Sequence, residues 1–259
     1  MNDNNFYSEY NGYDSQNDIK DGVISKTITH FIKAYLWMFV ATLITFITGV
    51  ILSKVFIDLL YNGNAGGMTL FLVVSIISFI GQFVLCITIN KNALEKANFG
   101  KALGGLILFS LLNGVSFASL FAFFEIDILY QVFGIVALYF LLLTALSYVF
   151  RRKIHKASGF AYIGLITLLI VSGIVAIYSL LFYSPVNNIS QSLYLGVSIL
   201  GLIVFTILTL VDVKAMYTII DHSENKKCAS ISAAFNLYLD FINIFIYILR
   251  IASHFIKKD

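Results

Sequence analysis

Charged residues are scarce in this chain of 259 residues. Asp, Glu, Lys and Arg together make up 12% of the sequence, whereas 59% of the residues are hydrophobic and the mean hydropathy is +0.88. A soluble domain carries about 25% charged residues. The shortage of charge excludes an ordinary water-soluble globular protein, and the lipid bilayer is the predicted surrounding of most of the chain.

Cysteine and histidine are also scarce, with two and four copies. Cys86 and Cys228 lack the spacing of a metal site or of a disulfide framework. We expect both to pack as small apolar side chains. The histidines are scattered at the ends of apolar runs. The sequence therefore predicts no catalytic residue, no metal centre, no bound cofactor and no nucleic-acid partner.

Long apolar runs fill the chain instead. A bilayer core about 30 Å thick requires about 20 apolar residues per helix, because backbone polar groups in hydrocarbon must be hydrogen-bonded within the protein. An all-α membrane protein with about seven transmembrane helices and no separate globular domain is predicted. The seven runs are Ala34–Ile57, Met68–Asn90, Ala102–Phe124, Ile128–Phe150, Gly159–Phe182, Leu193–Ile220 and Ala229–Phe255.

The N-terminal segment differs from the rest of the chain. Its first 25 residues are polar and acidic, with neither a basic start nor an apolar run of signal-peptide length. We expect residues 1–30 to form a disordered polar tail and residues 31–259 to form one transmembrane domain.

The distribution of Lys and Arg predicts the orientation of this domain, since cytoplasmic loops carry the excess of positive charge. Thirteen of the 17 basic residues lie in the tail, in every second connection after it or, for Lys214, near such a connection within the sixth run; the other four are Lys54, Arg250, Lys257 and Lys258. The N-terminus is therefore predicted to be cytoplasmic, in a plasma membrane or an endomembrane. The basic C-terminus leaves two alternatives: the last helix crosses with a basic outer end, or it re-enters without crossing.

Ionisable side chains inside membrane spans usually mark function, and here they are concentrated in the last two runs. Asp212 lies in the sixth run and Asp240 near the middle of the seventh. Asn236, Asp240 and Asn243 are spaced so that they share one helix face. Such a polar face is unfavourable in lipid, so we predict that the C-terminal helix is the central helix of the bundle.

The two aspartates allow two interpretations. If their carboxyl groups lie close together in a low dielectric, both cannot ionise readily, and the pair shares a proton and titrates as a unit. Fully ionised, such a pair attracts a divalent cation. Alternatively, Asp212 forms a salt bridge with Lys214 or Lys91, and Asp240 is held by hydroxyl and amide groups that only lock helices together.

The segment LYLDFINIFIYILR, Leu237 to Arg250, resembles the C-terminal signature of the Bax inhibitor-1 family. The resemblance extends to NGVSFASLF at Asn113 to Phe121, to the basic segment RRKIHKASGF at Arg151 to Phe160, and to Asp212. It covers nearly the whole membrane domain.

This resemblance implies a seven-helix fold with the last helix at its centre and a pH-sensitive calcium leak linked to cell-death control. It also implies that Asp212 and Asp240 form the pH sensor. Two positions depart from the family pattern, since Val211 replaces a Tyr and Lys214 replaces a Gln.

The second helix also differs from that of some bacterial members of the family. Gln82 lies near the position of a Glu, and Lys91 lies near an Arg that pairs with the sixth-helix Asp. Lys91 or Lys214 would supply a less rigid point charge in place of that Arg. Arg250, near the end of the seventh run, is a further supporting polar residue.

Two other functions compete with a calcium leak. Intramembrane aspartyl proteases also use two Asp residues on neighbouring helices, but their Gly-x-Gly-Asp and Pro-Ala-Leu motifs are missing, and no Pro follows Pro185. We therefore expect no enzymatic activity. The remaining alternative is a modulator that binds a membrane protease or cell-death partner through its helices and transports nothing.

Overall fold

A computed structural model describes residues 3–149, 157–181 and 188–256 of the chain. The basic segment 151–156 and the two final lysines lie outside the described residues. Within the described part, seven α-helices follow one another, and a π-helical turn, Lys91–Glu95, extends the second of them. The helices are α1 (Asp3–Tyr61), α2 (Ala65–Asn90), α3 (Phe99–Phe121), α4 (Ile126–Val149), α5 (Ala157–Leu181), α6 (Asn188–His222) and α7 (Lys226–Ile256).

The predicted all-α membrane fold is confirmed, with each helix enclosing or closely matching one predicted run. Six helices are long and apolar enough to cross a membrane. In α5, the apolar stretch within the described residues is shorter, at Gly159–Val175. The described residues therefore support six spans directly, and the crossing of α5 stays a prediction.

The first helix begins before the membrane-spanning part of the chain. Its bounds include most of the segment for which the sequence predicts disorder, whereas its apolar, spanning part starts at Ile28. The division of the chain into a disordered tail and a membrane domain stays a prediction.

Asparagine side chains cap three of the helices. Asn64 Oδ1 accepts a hydrogen bond from the Gly67 N–H at 2.9 Å, and Asn98 Oδ1 accepts one from the Lys101 N–H at 3.0 Å. Asn225 Oδ1 similarly accepts a hydrogen bond from the Cys228 N–H, in the first turn of α7, at 3.2 Å. Each cap satisfies an N–H group that has no partner inside its own helix. These caps fix where α2, α3 and α7 begin.

The C-terminal helix is the most enclosed element. It packs against α1, α2, α3, α4 and α6, and residues on all of its sides are buried, including Phe235, Leu237, Tyr238 and Ile244. By contrast, α2 packs mainly on α3, and α5 packs on α6, so both present apolar surface outward. Polar groups on α7 are therefore placed against other helices.

The interface between α1 and α3 depends on a close approach at Gly114. A Cβ atom added there would lie 2.8 Å from the backbone oxygen of Thr45 and 2.6 Å from Thr48 Cβ. Small residues permit such contacts between membrane helices. The approach brings the middle of α1 against the face of α3 that also contacts α7.

Candidate functional site

Asp240 lies in the middle of α7 and is 3% exposed. Within the described residues, its Oδ2 atom has no hydrogen-bond partner. The carboxyl interacts with the hydroxyl group of Thr209 and, electrostatically, with the carboxyl of Asp212. A buried carboxyl with an unpartnered oxygen is costly in a protein interior, and for this reason it is a candidate functional group.

The sixth helix supplies the groups that face Asp240. Thr209 and Asp212 are three residues apart and therefore lie on the same face of α6. The Thr209 hydroxyl lies 2.7 Å from the backbone oxygen of Phe205, to which it donates a hydrogen bond. Asp212 is only partly buried, so this carboxyl is the more accessible of the two.

The lysines do not pair with the aspartates in this structure. Lys91 is exposed in the π-helical turn, and Lys214 is half-buried on α6. In the described part of the chain, neither forms an ion pair with Asp212. Arg250 is exposed near the end of α7, where its charge lies close to the Tyr247 hydroxyl group.

The predicted amide groups also make bonds away from the carboxyl pair. Asn243 Nδ2 donates to the backbone oxygen of Leu239 at 2.7 Å, within its own helix. Gln82 Nε2 donates to Ser116 Oγ at 2.9 Å and thereby joins α2 to α3. Asn236 is half-buried on α7. The predicted polar stripe is thus present on the helix, but its amides are not joined to Asp240 by a hydrogen bond.

A buried polar network centred on Tyr238 was not anticipated from the sequence. The Tyr238 hydroxyl accepts a hydrogen bond from Asn113 Nδ2 of α3 at 2.7 Å and lies 2.7 Å from Thr45 Oγ1 of α1. Thr45 Oγ1 in turn donates to the backbone oxygen of Ser110 at 2.9 Å. One sequence signal was available: a buried tyrosine usually finds a partner for its hydroxyl group.

Two serines connect the first turns of α7 to other helices. Ser232 Oγ donates to Asn90 Oδ1 of α2 at 2.7 Å. Ser230 Oγ lies 3.0 Å from the backbone oxygen of His30 on α1 and 2.8 Å from that of Lys226. Together with Tyr238, these bonds hold α7 along its N-terminal half.

Phenylalanine rings of α1, α3 and α4 pack against Phe241 and Phe245, which follow Asp240 in α7. They form a phenylalanine cluster, in which neighbouring ring centroids are 5.3–6.5 Å apart. The void at its centre is about 10 Å³, at the lower limit for a single water molecule. The cluster therefore fills the contact of α7 with α1, α3 and α4. Its members are Phe46, Phe117, Phe121, Phe133, Phe241 and Phe245.

The two carboxyl groups are not part of a larger ligand set. Among the described residues, no group of three or more His, Cys, Asp or Glu side chains is arranged to hold a metal ion. Cys86 is half-buried on α2, and Cys228 is buried at the start of α7. The site is thus a carboxyl pair with a hydroxyl group, which can bind and release protons and attract cations.

A family model matches most of this chain, and two known proteins match parts of it. The model of the family described as "Inhibitor of apoptosis-promoting Bax1" matches residues 27–257. An uncharacterized protein of Borreliella burgdorferi is 32% identical over 173 residues, which are 65% of this chain and 70% of that protein. An uncharacterized protein of Rickettsia prowazekii is 45% identical over 64 residues, 24% of this chain and 27% of its own length. No solved structure matches the chain.

Proposed function

The chain belongs to the Bax inhibitor-1 family, and on that premise we propose that it forms a pH-sensitive calcium leak pathway controlled by Asp212 and Asp240. The chain is an integral multi-pass membrane protein of a generally non-enzymatic family, and the proposal requires no catalytic step. The proposed fold has seven crossings with α7 at the centre, because α7 is continuous, long enough to span and enclosed by five helices. Calcium is the proposed transported ion.

One observation carries this proposal: a buried carboxyl on the enclosed helix has an unpartnered oxygen and interacts with a second carboxyl. Two like charges in low dielectric repel strongly, so such a pair holds a proton over part of the pH range. When both groups are ionised, the site attracts a divalent cation, for which carboxylate oxygens are suitable ligands. Protonation and cation binding therefore compete at the same atoms.

Thr209 links the protonation state to the contact between α6 and α7. Its hydroxyl group has one hydrogen, which the backbone oxygen of Phe205 accepts in this structure. A protonated Asp240 can then donate to the Thr209 oxygen. An ionised Asp240 can only accept a hydrogen bond, so it competes with the backbone oxygen of Phe205 for the Thr209 hydrogen. Titration of the pair thus exchanges hydrogen bonds at the α6–α7 interface.

The phenylalanine cluster is the proposed barrier of the closed state. Its central void is too small for a hydrated ion, and the rings come from α1, α3, α4 and α7. A change in the position of α7 would separate Phe241 and Phe245 from the rings of the other three helices. The carboxyl pair and the barrier are therefore proposed to be coupled through the same helix.

The direct test is calcium flux into liposomes that contain the purified chain and an enclosed calcium-sensitive dye. We expect flux down the gradient at a rate that changes between pH values of about 6 and 8. Empty liposomes are the control. An absence of flux at every pH would overturn the leak proposal and would favour a modulator of a membrane protease or cell-death partner.

The proposed orientation has a cytoplasmic N-terminus and can be tested at the two ends of α2. In a chain with Cys86 and Cys228 replaced by Ala, Asn62→Cys should react with an impermeant thiol reagent added to intact cells. Lys96→Cys should react only after the cells are opened. Both positions are exposed, so accessibility to water is matched. The opposite labelling pattern would show that the orientation is wrong.

A further inference from the structure

Tyr238 is completely buried on α7, and its hydroxyl group connects three helices. Asn113 Nδ2 donates to the Tyr238 oxygen, which also lies 2.7 Å from Thr45 Oγ1; either hydroxyl group can be the donor in this second bond. When the Thr45 hydrogen is used by the backbone oxygen of Ser110, at 2.9 Å, or of Ala41, at 3.1 Å, Thr45 accepts from Tyr238. The result is a chain of hydrogen bonds in which each hydroxyl group donates once and accepts once.

The position of Tyr238 relative to Asp240 gives this network a consequence for the carboxyl pair. Residues two apart on an α-helix are separated by about 200° around its axis. Tyr238 faces α1 and α3, so Asp240 faces the opposite side, where Thr209 and Asp212 lie on α6. A hydroxyl group bonded at two points on one side of α7 restricts rotation of the helix about its axis.

Aromatic packing alone does not impose this restriction. The Tyr238 ring contacts the Phe109 ring edge-on, with centroids 5.9 Å apart, and Phe109 makes a similar contact with Phe235 at 5.0 Å. Ring contacts tolerate small rotations, whereas buried hydrogen bonds weaken steeply with distance and angle. The hydroxyl group therefore adds angular precision to a contact that is otherwise apolar.

We propose that Tyr238 is a positioning residue, whose hydrogen bonds to Thr45 and Asn113 fix the rotation of α7 so that Asp240 faces Thr209 and Asp212. For its transport readout this inference rests on the proposed leak function. The titratable group that acts on Asp240 is Asp212 of α6; within the described residues, none on α1, α2, α3 or α4 does so. Tyr238 thus acts on Asp240 through position.

The test compares Tyr238→Phe with Tyr247→Phe in the full chain. Phenylalanine keeps the ring of Tyr238 and removes only its hydroxyl group. Tyr247 lies on the same helix and packs on the Phe205 ring of α6, with centroids 5.8 Å apart. In the described part of the chain its hydroxyl group has no hydrogen bond, so its removal is a matched control.

The first measurement does not depend on transport. A hydrophobic carbodiimide reacts with protonated carboxyl groups in apolar surroundings, and mass spectrometry measures its addition to Asp240 as a function of pH. Without the Tyr238 hydroxyl group, α7 can turn Asp240 away from Asp212, and the weaker repulsion favours ionisation. We expect labelling at neutral pH to fall by up to roughly fivefold in Tyr238→Phe, because one lost buried hydrogen bond limits how far the orientation of α7 can be shifted away from the one in which Asp240 faces Asp212. Tyr247→Phe should label like the parent chain.

The second measurement is the pH profile of calcium flux, which should shift in Tyr238→Phe and not in Tyr247→Phe. Thr45→Val removes the other end of the same bond with little change of volume and should move both readouts in the same direction. Identical labelling and flux profiles for Tyr238→Phe and Tyr247→Phe would overturn the inference. A parent chain without flux, in which Tyr238→Phe still changes the labelling, would instead overturn the leak function and support the positioning role.

Discussion

Replacing Asp240 with Asn should abolish most of the pH dependence of calcium flux between pH values of about 6 and 8. The amide is close in size to the carboxyl group and keeps a hydrogen-bond acceptor for Thr209, but it can neither ionise nor share a proton. Since Asn is neutral at every pH, the variant should leak at the rate that the parent chain reaches in acid. The measurement is dye-reported flux at a series of pH values.

If the two carboxyl groups are coupled, a second substitution and the double variant have defined expected results. Asp212→Asn should also flatten the pH profile. The double variant should resemble either single variant, because either substitution alone already removes the proton that the two carboxyl groups share. Independent acids would give additive effects. Asp221→Asn, at an exposed position of α6, is the control and should leave the profile unchanged. Unchanged profiles in both Asp212→Asn and Asp240→Asn would contradict the sensor hypothesis.

Replacing Gly114 with Val should separate α1 from α3 and destabilise the protein. The new side chain would overlap the Thr45 backbone oxygen and Thr48 Cβ, neither of which can move without shifting α1. Overpacking of this kind costs about 1–3 kcal/mol. We expect a lower midpoint of thermal unfolding in detergent, measured by the loss of helical circular dichroism or by aggregation.

Gly104 provides the control for this substitution. It lies on the same helix and is exposed, and an added Cβ would meet no atom within 4 Å. Gly104→Val therefore carries the same change of helix propensity without the overlap. If both variants unfolded at the same temperature, the close approach of α1 and α3 would contribute nothing measurable to stability.

The two aspartates could be singled out from the sequence because charge is conspicuous in an apolar helix. Asp212 and Asp240 each interrupt a long run of aliphatic and aromatic residues, and such groups are rare in membrane spans without a function. The apolar part of each helix was also predictable, since the apolar runs are long and polar residues separate them, whereas the start of α1 at Asp3 was not. That the two carboxyl groups interact did not follow from their spacing, because they lie on different helices.

The Tyr238 network could not be predicted in the same way. Tyrosine is common in membrane helices, and its partners Thr45 and Asn113 are 193 and 125 residues distant in sequence. Only the packing of α7 between α1 and α3 brings the three groups together. The sequence also left open whether Asp212 pairs with Lys91 or Lys214, because a long flexible ammonium side chain remains solvated unless the fold confines it.

In the proposed orientation, Asp212 is the carboxyl of the pair that lies nearer the cytoplasm. At 35 residues, α6 is about 52 Å long, much more than a hydrocarbon layer of about 30 Å. Asp212 is the twentieth residue of the apolar run that begins at Leu193 and ends at Ile220, so in the proposed orientation it lies in the cytoplasmic half of that layer. Asp240 lies near the middle of α7, and the phenylalanine cluster, which is the proposed barrier, packs α7 against α1, α3 and α4. In the proposed closed state, protons would therefore reach the pair by way of Asp212, the more accessible carboxyl, and the pair would respond to the acidity of the cytoplasm.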